Sequence, residues 1–533
     1  MRSMNRILFL AGCIIFFSLS SLAYGATITG TVKGPDGAPF EGVFVAAQNT
    51  KNYITVFVLS DKSGHYRVEN LSAGDYDLRT KAIGYKEEQH KGVNLTASQN
   101  ASFDFALQKG VVRWADLSID QGVQLFPDGT GKKEYDARCL GCHGFQSREA
   151  SVQRDADGWR DRVNYMRYVM RLGGLTDEGW SNVAVYVNSL FGNDSVLPPS
   201  PADLPAYKNL EQHFTDDAMK IVYVEYRLPG LGRMPWDVNP GKNGKLWIPY
   251  YSQLNMVAQL DPITGDVKEF PLPPQPRVGM HSAVEAPDGN VWFTEQANNT
   301  LGKLDPATGK VTEYHDEHIS GTIRPTSRTM YDSDASRNGV SKHTVRVDSQ
   351  GYVWASGTPA SRFDPKTGKY DEFKEGAYSV ALDQQGNAWL SANNTLVKVD
   401  GETLKETEYT PPTHDKNFNR RIVTDTDGMI WFAEFNQNKM TSFDPKTEKF
   451  KDYTLPGHNA TPYAVGIDKN HNVWYSSQDM DYIGCLDPAT GKVLEYPYPH
   501  RENAMREFYF DGQGRMWYAS PPNNNVGYFT IAK

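Results

Sequence analysis

Two cysteines and a histidine in the first half of the chain have a spacing that could hold a metal-bearing group. They are Cys139, Cys142 and His143, in the order Cys-Leu-Gly-Cys-His. Two thiols one helical turn apart can add to the vinyl groups of a haem, and the adjacent histidine can then bind the iron. The same residues could form a redox dithiol or half of a zinc site. Because no second Cys/His pair lies nearby to complete a zinc site, the motif predicts one covalent haem c.

A methionine downstream of this motif is expected to be the second axial ligand of the iron. Met166 and Met170 both precede a stretch with the apolar spacing of a helix, at 180–191. Together with the motif, these features resemble class I cytochrome c domains over about residues 110–195. The resemblance implies a small all-α haem domain, assigned to 110–199, with Met166 as the ligand and Met170 as its alternative. A thioether ligand raises the reduction potential and suits electron transfer.

A tryptophan recurs seven times in the second half of the chain, and six of the seven have a glycine three residues earlier. Repeats of about forty residues with four short strands each indicate a seven-bladed β-propeller, assigned to 220–533. The strand-like segment 220–228 is expected to complete the last blade and close the ring of blades. The tryptophans are Trp247, Trp292, Trp354, Trp389, Trp431, Trp474 and Trp517.

The repeat also aligns polar and aromatic residues at one position of every blade. Eleven residues before each tryptophan, the innermost strand begins at the mouth of the central channel, so these residues are predicted to form a pocket there. Two acids, Glu295 and Glu434, each lie three residues after one of the tryptophans and are expected to line the same pocket. His281 and Glu295 share a blade and are expected to be neighbours. The residues eleven back are Trp236, His281, His343, Tyr378, Arg420, Tyr463 and Arg506.

The segments 281–295 and 427–434 resemble the streptogramin B (virginiamycin B) lyase family, and the likeness extends over roughly residues 221–533. Those lyases open a cyclic depsipeptide by elimination. The resemblance implies that His281 is a general base, that His343 is a second histidine of the site and that Glu295 helps to hold Mg²⁺.

The chain departs from the lyase pattern at several positions of the predicted pocket. Gly279 stands where the family has a further glutamate, and Gly357 lies three residues after the tryptophan in the blade of His343. Arg420 and Arg506 add positive charge to the mouth. The set of lyase residues is therefore incomplete, and the fold alone does not fix the function.

The N-terminal 25 residues have the pattern of a secretory signal peptide. A basic start precedes an apolar run, and small residues follow at the cleavage positions. Export to the periplasm or the medium is therefore expected. The sequence Leu-Ala-Gly-Cys ending at Cys13 permits an alternative interpretation as a lipid-anchored protein.

A small β-sandwich is expected between the signal peptide and the haem motif, at 27–108. Short alternating strands with Gly-containing turns fill this region, and residues 61–85 resemble the carboxypeptidase regulatory-like domain, a transthyretin-type sandwich. The resemblance implies a structural module without catalysis. The predicted chain is thus multidomain and mainly β, with one small helical domain.

The charge and hydropathy of the sequence limit the classes of partner that the protein is expected to bind. The net charge is −9 and no long basic run occurs, which argues against nucleic acid. No stretch after the signal peptide is apolar enough to span a bilayer. We predict an exported haem protein that acts in electron transfer, either as an oxidoreductase or as the electron-transfer component of one. Its propeller is expected to bind a redox partner or a small-molecule substrate. The alternatives are a lyase-like enzyme with an accessory haem domain and a non-catalytic redox-sensing protein.

Overall fold

The protein is described by a computed structural model. Cys142, Met170 and the predicted signal peptide up to residue 24, including Cys13, lie outside the described residues. The structure describes residues 25–140, 143–169, 172–275, 277–316, 341–392, 394–413 and 419–532.

The first region is a sandwich of two sheets around its own apolar core. The alternating burial of β1 and β5 follows from their alternating sequence, with apolar residues facing the opposite sheet. One sheet has β4, β1, β7 and β8, and the other has β3, β2, β5 and β6. The strands are β1 (Ala26–Lys33), β2 (Phe44–Asn49), β3 (Thr55–Leu59), β4 (His65–Leu71), β5 (Gly74–Lys81), β6 (Gln89–Leu95), β7 (Asn100–Ser102) and β8 (Phe105–Ala106).

Helices follow the sandwich, in a region that we call the helical segment (114–210). Its apolar cluster is separate from the other cores and is built around Trp114, Tyr135, Trp159 and Trp180. Side-chain caps fix three helix starts, because Ser118, Asp155 and Thr176 accept hydrogen bonds from the backbone amides three residues on. The helices are α1 (Ile119–Leu125), α2 (Lys132–Arg138), α3 (Ala156–Asn164) and α4 (Asp177–Phe191).

The remainder is a propeller of seven four-stranded blades. Blades 1 to 6 contain β10 (Asn239–Pro240), β11 (Leu246–Pro249), β12 (Met256–Leu260), β13 (Val267–Pro271); β14 (Met280–Glu285), β15 (Val291–Glu295), β16 (Thr300–Leu304), β17 (Val311–His315); β18 (Ser341–Val347), β19 (Val353–Thr358), β20 (Ser361–Asp364), β21 (Lys369–Glu372); β22 (Ala377–Leu382), β23 (Ala388–Ala392), β24 (Leu396–Val399), β25 (Glu406–Tyr409); β26 (Asn419–Thr424), β27 (Ile430–Glu434), β28 (Lys439–Asp444), β29 (Lys449–Thr454); β30 (Pro462–Ile467), β31 (Val473–Ser477), β32 (Tyr482–Leu486) and β33 (Val493–Pro497).

Blade 7 combines the two ends of the propeller, as the sequence predicts. The order is β34 (Tyr509–Phe510), β35 (Met516–Ser520), β36 (Asn525–Ile531) and then β9 (Ile221–Arg227), which precedes blade 1 in the chain. Seven consecutive residue pairs join β36 to β9. The ring is thereby closed by strand pairing between distant parts of the chain.

The sandwich is continuous with blade 7, a connection that the sequence analysis did not predict. Strand β3 pairs with the outer strand β9, from Thr55 opposite Glu225 to Phe57 opposite Tyr223. The apolar cluster at this junction contains Phe57 and Tyr223 together with Trp474 of blade 6. One sheet and one core therefore link the two regions.

Each repeated tryptophan is buried between neighbouring blades, and most are fixed by a hydrogen bond that the sequence analysis did not identify. In five blades the indole nitrogen donates to an aspartate six residues earlier, over 2.8–3.1 Å. In blade 1 the partner is Glu285 of the next blade. The signal was available as an aspartate six residues before the tryptophan, with a glycine midway in four of these five blades and His471 in the fifth. The acceptors are Asp348, Asp383, Asp425, Asp468 and Asp511.

Candidate functional site

The Cys-x-x-Cys-His motif begins at the C-terminal end of α2 and borders an apolar cavity. Cys139 is the C-cap residue of α2. Its side chain and that of His143 line the cavity together with Trp159, Met166 and Val183. Three elements of the helical segment, α2, α3 and α4, thus supply its walls.

The imidazole of His143 is held in one orientation and one protonation state. Its Nδ1 lies 2.7 Å from the carbonyl oxygen of Gly144. A carbonyl only accepts, so Nδ1 carries the proton and donates it. Burial, with the nearby Arg148 guanidinium, lowers the pKa of His143 to about 3. The ring is therefore neutral at physiological pH, with the lone pair of Nε2 available, which is the form that ligates a metal.

Met166 lies where the regular helix is interrupted. Helix α3 continues into one π-helical turn, Tyr165–Val169, and Met166 lines the same cavity as His143. Such π-turns are frequent at functional sites. The structure therefore brings the predicted proximal ligand and the predicted second ligand to one cavity, while Met170 lies outside the described residues.

The far wall of this cavity belongs to the propeller. Met234, Trp236, Tyr251 and Pro521 line it opposite the helical segment, and we call it the shared cavity. The indole of Trp236 stacks on the Tyr251 ring, with centroids 4.1 Å apart. The haem motif and the predicted propeller pocket, which lie about a hundred residues apart, thus meet at one place.

Hydrogen bonds fix the helical segment to loops of blades 1, 6 and 7 around the propeller mouth. The Gln478 amide donates to the carbonyl of Leu140 at 3.2 Å. The Asp120 backbone amide donates to the Asp479 carbonyl at 2.9 Å. Further contacts join Ser147 to Glu502, at 3.1 Å, and Gln253 to Tyr165, at 3.0 Å.

The seven residues predicted at the mouth form a closed circle of contacts, which we call the mouth ring. On one side, the His281 and His343 rings are tilted by 37° with their centroids 3.5 Å apart, and the His343 ring lies 4.3 Å from the Tyr378 ring. Arg420 covers both Tyr378, at 4.8 Å, and Tyr463, at 4.7 Å. The circle closes because Arg506 covers Tyr463, at 4.8 Å, and Trp236, at 4.3 Å, and Trp236 lies 5.8 Å from His281.

A β-bulge at the start of the inner strand orients the ring side chains. In blade 2 the register is Met280 opposite Glu295 but Ala283 opposite Phe293, so one extra residue lies between them. The inner strands of blades 3, 4, 5 and 6 have the same irregularity. Bulges redirect side chains in this way near binding sites.

The two acids predicted in the pocket are turned away from the mouth ring. Because of the bulge, Glu295 lies opposite Met280 and not His281, which corrects the expected His281–Glu295 pair. Its carboxylate accepts a hydrogen bond from Asn298 at 3.3 Å, and burial next to Glu313 of the outer strand raises its pKa to about 8. Glu434 likewise accepts from Thr413 at 2.6 Å.

Both ring histidines are neutral. Burial lowers the pKa of His281 well below its usual value, with contributions from His343 and Arg421. Burial and the Arg421 guanidinium do the same to His343. His281 is 2% exposed, and its Nδ1 has no hydrogen-bond partner in the described part of the chain. A neutral imidazole with an open nitrogen can accept a proton.

Two functional features were missed from the sequence. Tyr251, four residues after the first tryptophan, stacks on Trp236, yet the repeat gave no reason to inspect that offset. The Arg148 and Arg162 guanidiniums line the shared cavity, and no motif marks them. Among the described residues, no three His, Cys, Asp or Glu side chains are grouped to hold a metal ion, so the Mg²⁺ site stays a prediction.

Two family models match the chain. The carboxypeptidase regulatory-like domain matches residues 27–108, and the virginiamycin B lyase family matches residues 366–532. Neither includes the helical segment, and no curated protein matches. Within the described ranges, no helix is long and apolar enough to cross a membrane.

Streptogramin lyases are among the solved structures with a similar propeller fold. The selenomethionine-substituted virginiamycin B lyase from Staphylococcus aureus is 21% identical with a TM-score of 0.50, covering 58% of this chain and 99% of that chain. A streptogramin B lyase structure is 22% identical with a TM-score of 0.50, covering 58% of this chain and 98% of that chain. The catalytically inactive virginiamycin B lyase from S. aureus with quinupristin is 21% identical with a TM-score of 0.50, covering 58% of this chain and 99% of that chain.

The fold and these likenesses define the class of protein. It is a mainly β, multidomain chain with a carboxypeptidase regulatory-like sandwich and a streptogramin B lyase-like propeller. These comparisons support the lyase-like propeller and contain nothing on haem or electron transfer.

Proposed function

We propose that this chain is an exported c-type haem protein that works in electron transfer, with the propeller mouth as its substrate- or partner-binding surface. The observation that supports this most strongly is the shared cavity. Cys139, His143 and Met166 line one side of it, and Trp236 and Tyr251 of the propeller line the other. A haem bound here would supply one-electron chemistry beside the mouth ring.

The residues of the cavity suit such a group in three respects. Cys139 and Cys142 would form the thioether bonds, and the neutral His143 offers Nε2 to the iron, since its Nδ1 is engaged by Gly144. Met166 offers a thioether from the π-turn. Apolar walls exclude water, which favours the less charged ferrous state.

This proposal is tested by producing the mature protein in a host that attaches haem c. The expected product carries one haem that stays with the denatured chain, while the Cys139→Ser/Cys142→Ser variant carries none. Haem that is extracted from the wild type by denaturant, or a wild type that binds none, would refute covalent attachment. Zinc in place of haem would restore the alternative metal interpretation.

A lyase-like elimination is the second candidate, and the comparisons favour it. Its structural support is the close contact between His281 and His343, with both rings neutral. In this mechanism His281 would take a proton from the substrate while the ester C–O bond breaks. Against it stand the outward-facing Glu295 and the helical segment on blades 1, 6 and 7.

Incubation with quinupristin, with product mass as the readout, distinguishes the two candidates. Linearisation by the wild type, lost in His281→Ala, would establish the lyase. With no linearisation by a haem-loaded protein, electron transfer or redox sensing remains, and reduction by ascorbate followed by reoxidation with a cytochrome separates these two.

A further inference from the structure

Two arginines of the helical segment lie at the shared cavity and form no ion pair with the described residues. Arg148 and Arg162 both line it, beside His143. Arg162 packs over the Tyr165 ring at 4.9 Å. Within the described part of the chain, neither guanidinium forms a hydrogen bond or ion pair with a carboxylate.

The charges around this cavity repel one another. Burial lowers the pKa of Arg162, and the Arg148 guanidinium lowers it further. A compensating anion stabilises positive charges that are partly removed from water.

Two acids interact with these arginines, and both are poor counter-charges: Glu149 interacts with both arginines, and Glu502 interacts with Arg148 but has its pKa raised by burial to about 7. Glu149 also lines the cavity, and its carboxyl is hydrogen-bonded by the Tyr135 hydroxyl. Burial raises the pKa of Glu149 to about 7, so near neutral pH it is partly protonated. The arginines therefore lack a fully ionised counter-charge near neutral pH, and a bound anion would supply one.

We propose that Arg148 and Arg162 bind the two carboxylate side chains of the haem and thereby set its orientation and reduction potential. This inference rests on the proposed function. A haem held at its thioether bonds and axial ligands still has two propionates, and planar guanidiniums are the side chains best suited to bind carboxylates. These are positioning residues, since they act on the iron through the haem carboxylates.

The test compares Arg148→Gln and Arg162→Gln in the full-length haem protein, by spectroscopic redox titration. Without the guanidinium, the uncompensated carboxylate stabilises the ferric state. The equilibrium constant for reduction is expected to fall about tenfold for each variant, which is about 59 mV for a one-electron couple. Arg148→Lys and Arg162→Lys keep the charge and should recover most of the shift.

The matched control is Arg160→Gln, on the same helix but solvent-facing and paired with Asp157. It should leave the potential unchanged. If both glutamine variants keep their haem and their equilibrium constants for reduction stay within twofold of the wild-type value, the inference is overturned. If a glutamine variant loses its haem, the lysine variant at the same position decides. Loss of haem in the lysine variant would overturn the inference, and retention of haem with a near-native potential would support it. A wild type without haem would instead refute the proposed function.

Discussion

Under the proposed function, Met166 is the residue on which the electronic character of the haem site depends. It lies in the only π-helical turn of the described residues and faces the same cavity as His143. A regular helix would have continued through this position, so the turn places the thioether at the cavity at the expense of local hydrogen bonding.

We expect Met166→Leu to abolish the methionine–iron charge-transfer band and to lower the reduction potential, because a thioether favours ferrous iron. Covalent haem should be retained, since Cys139, Cys142 and His143 are unchanged. Met170→Leu is the matched control and should keep the band. The reverse pattern, with loss only in Met170→Leu, would assign Met170 as the ligand.

The mouth ring could be read from the sequence because the repeat fixes one register position in every blade. Counting from the tryptophans reached all seven members, from Trp236 to Arg506, which the structure brings into contact. The orientation of Glu295 could not be read in this way. A one-residue bulge places Met280 and not His281 opposite Glu295, and no residue type in that strand indicates the bulge.

At the scale of elements, the blades depend on the buried tryptophan and its aspartate. Asp383 accepts from the Trp389 indole and the Asn387 amide, both at 2.9 Å, and from two backbone amides of its turn. Asp383→Ala should reduce the free energy of unfolding by roughly 1–3 kcal/mol, because buried donors lose their acceptor. Urea unfolding measures this, with Glu402→Ala, an exposed acid of the same blade, as the control.

An equal effect of the two substitutions would show that the carboxylate at Asp383 acts only through general charge. A loss confined to Asp383→Ala would support the tryptophan–aspartate bond as the element that fixes each blade.

The pairing of β3 with β9 predicts that the sandwich and the propeller unfold together. Phe57 is 2% exposed in the core that both regions share, and its ring meets His500 edge-on at 5.5 Å. Phe57→Ala should cost about 3–5 kcal/mol and split the calorimetric transition of the wild type into two. Leu78→Ala, in the core of the sandwich alone, is the control and should not release blade 7.

Two transitions already present in the wild type would contradict this coupling. The sequence could predict both regions but not their pairing, because the outer edge of β9 and the edge of β3 carry no signal of their partner. Local patterns specify strands, while their association depends on contacts between residues far apart in the chain.

At the scale of the whole molecule, the helical segment covers part of the propeller mouth through an interface with buried acids. Burial and the neighbouring Asp120 raise the pKa of Asp479 to about 7. Burial similarly raises the pKa of Glu502 to about 7, although it accepts a hydrogen bond from Ser147. Asp481 and Arg420 also act on Asp479.

This interface predicts a definite pH dependence. The folded-state pKa of Asp479 lies above the unfolded value of about 3.9, so the folded chain holds more protons. Its stabilising contribution is complete below pH about 4 and is lost as the pH rises through about 7, by at most about 4 kcal/mol. Asp479→Asn should therefore flatten the stability–pH curve in this interval and exceed wild-type stability at pH 8.

Thermal unfolding from pH 4 to 8 measures the difference, with the exposed Asp194→Asn as the control. Curves of equal slope for Asp479→Asn and the wild type would show that Asp479 does not carry this linkage.

The central claim is that haem lies between the helical segment and the propeller, and the reduction potential of Trp236→Ala tests it most directly. Trp236 belongs to the propeller but walls the shared cavity. Its removal should admit water to the haem, stabilise the ferric state and lower the potential, while Ile263→Ala on the exposed propeller surface should not. A haem-loaded Trp236→Ala protein with the wild-type potential would contradict the claim, because the haem would then lie away from the propeller.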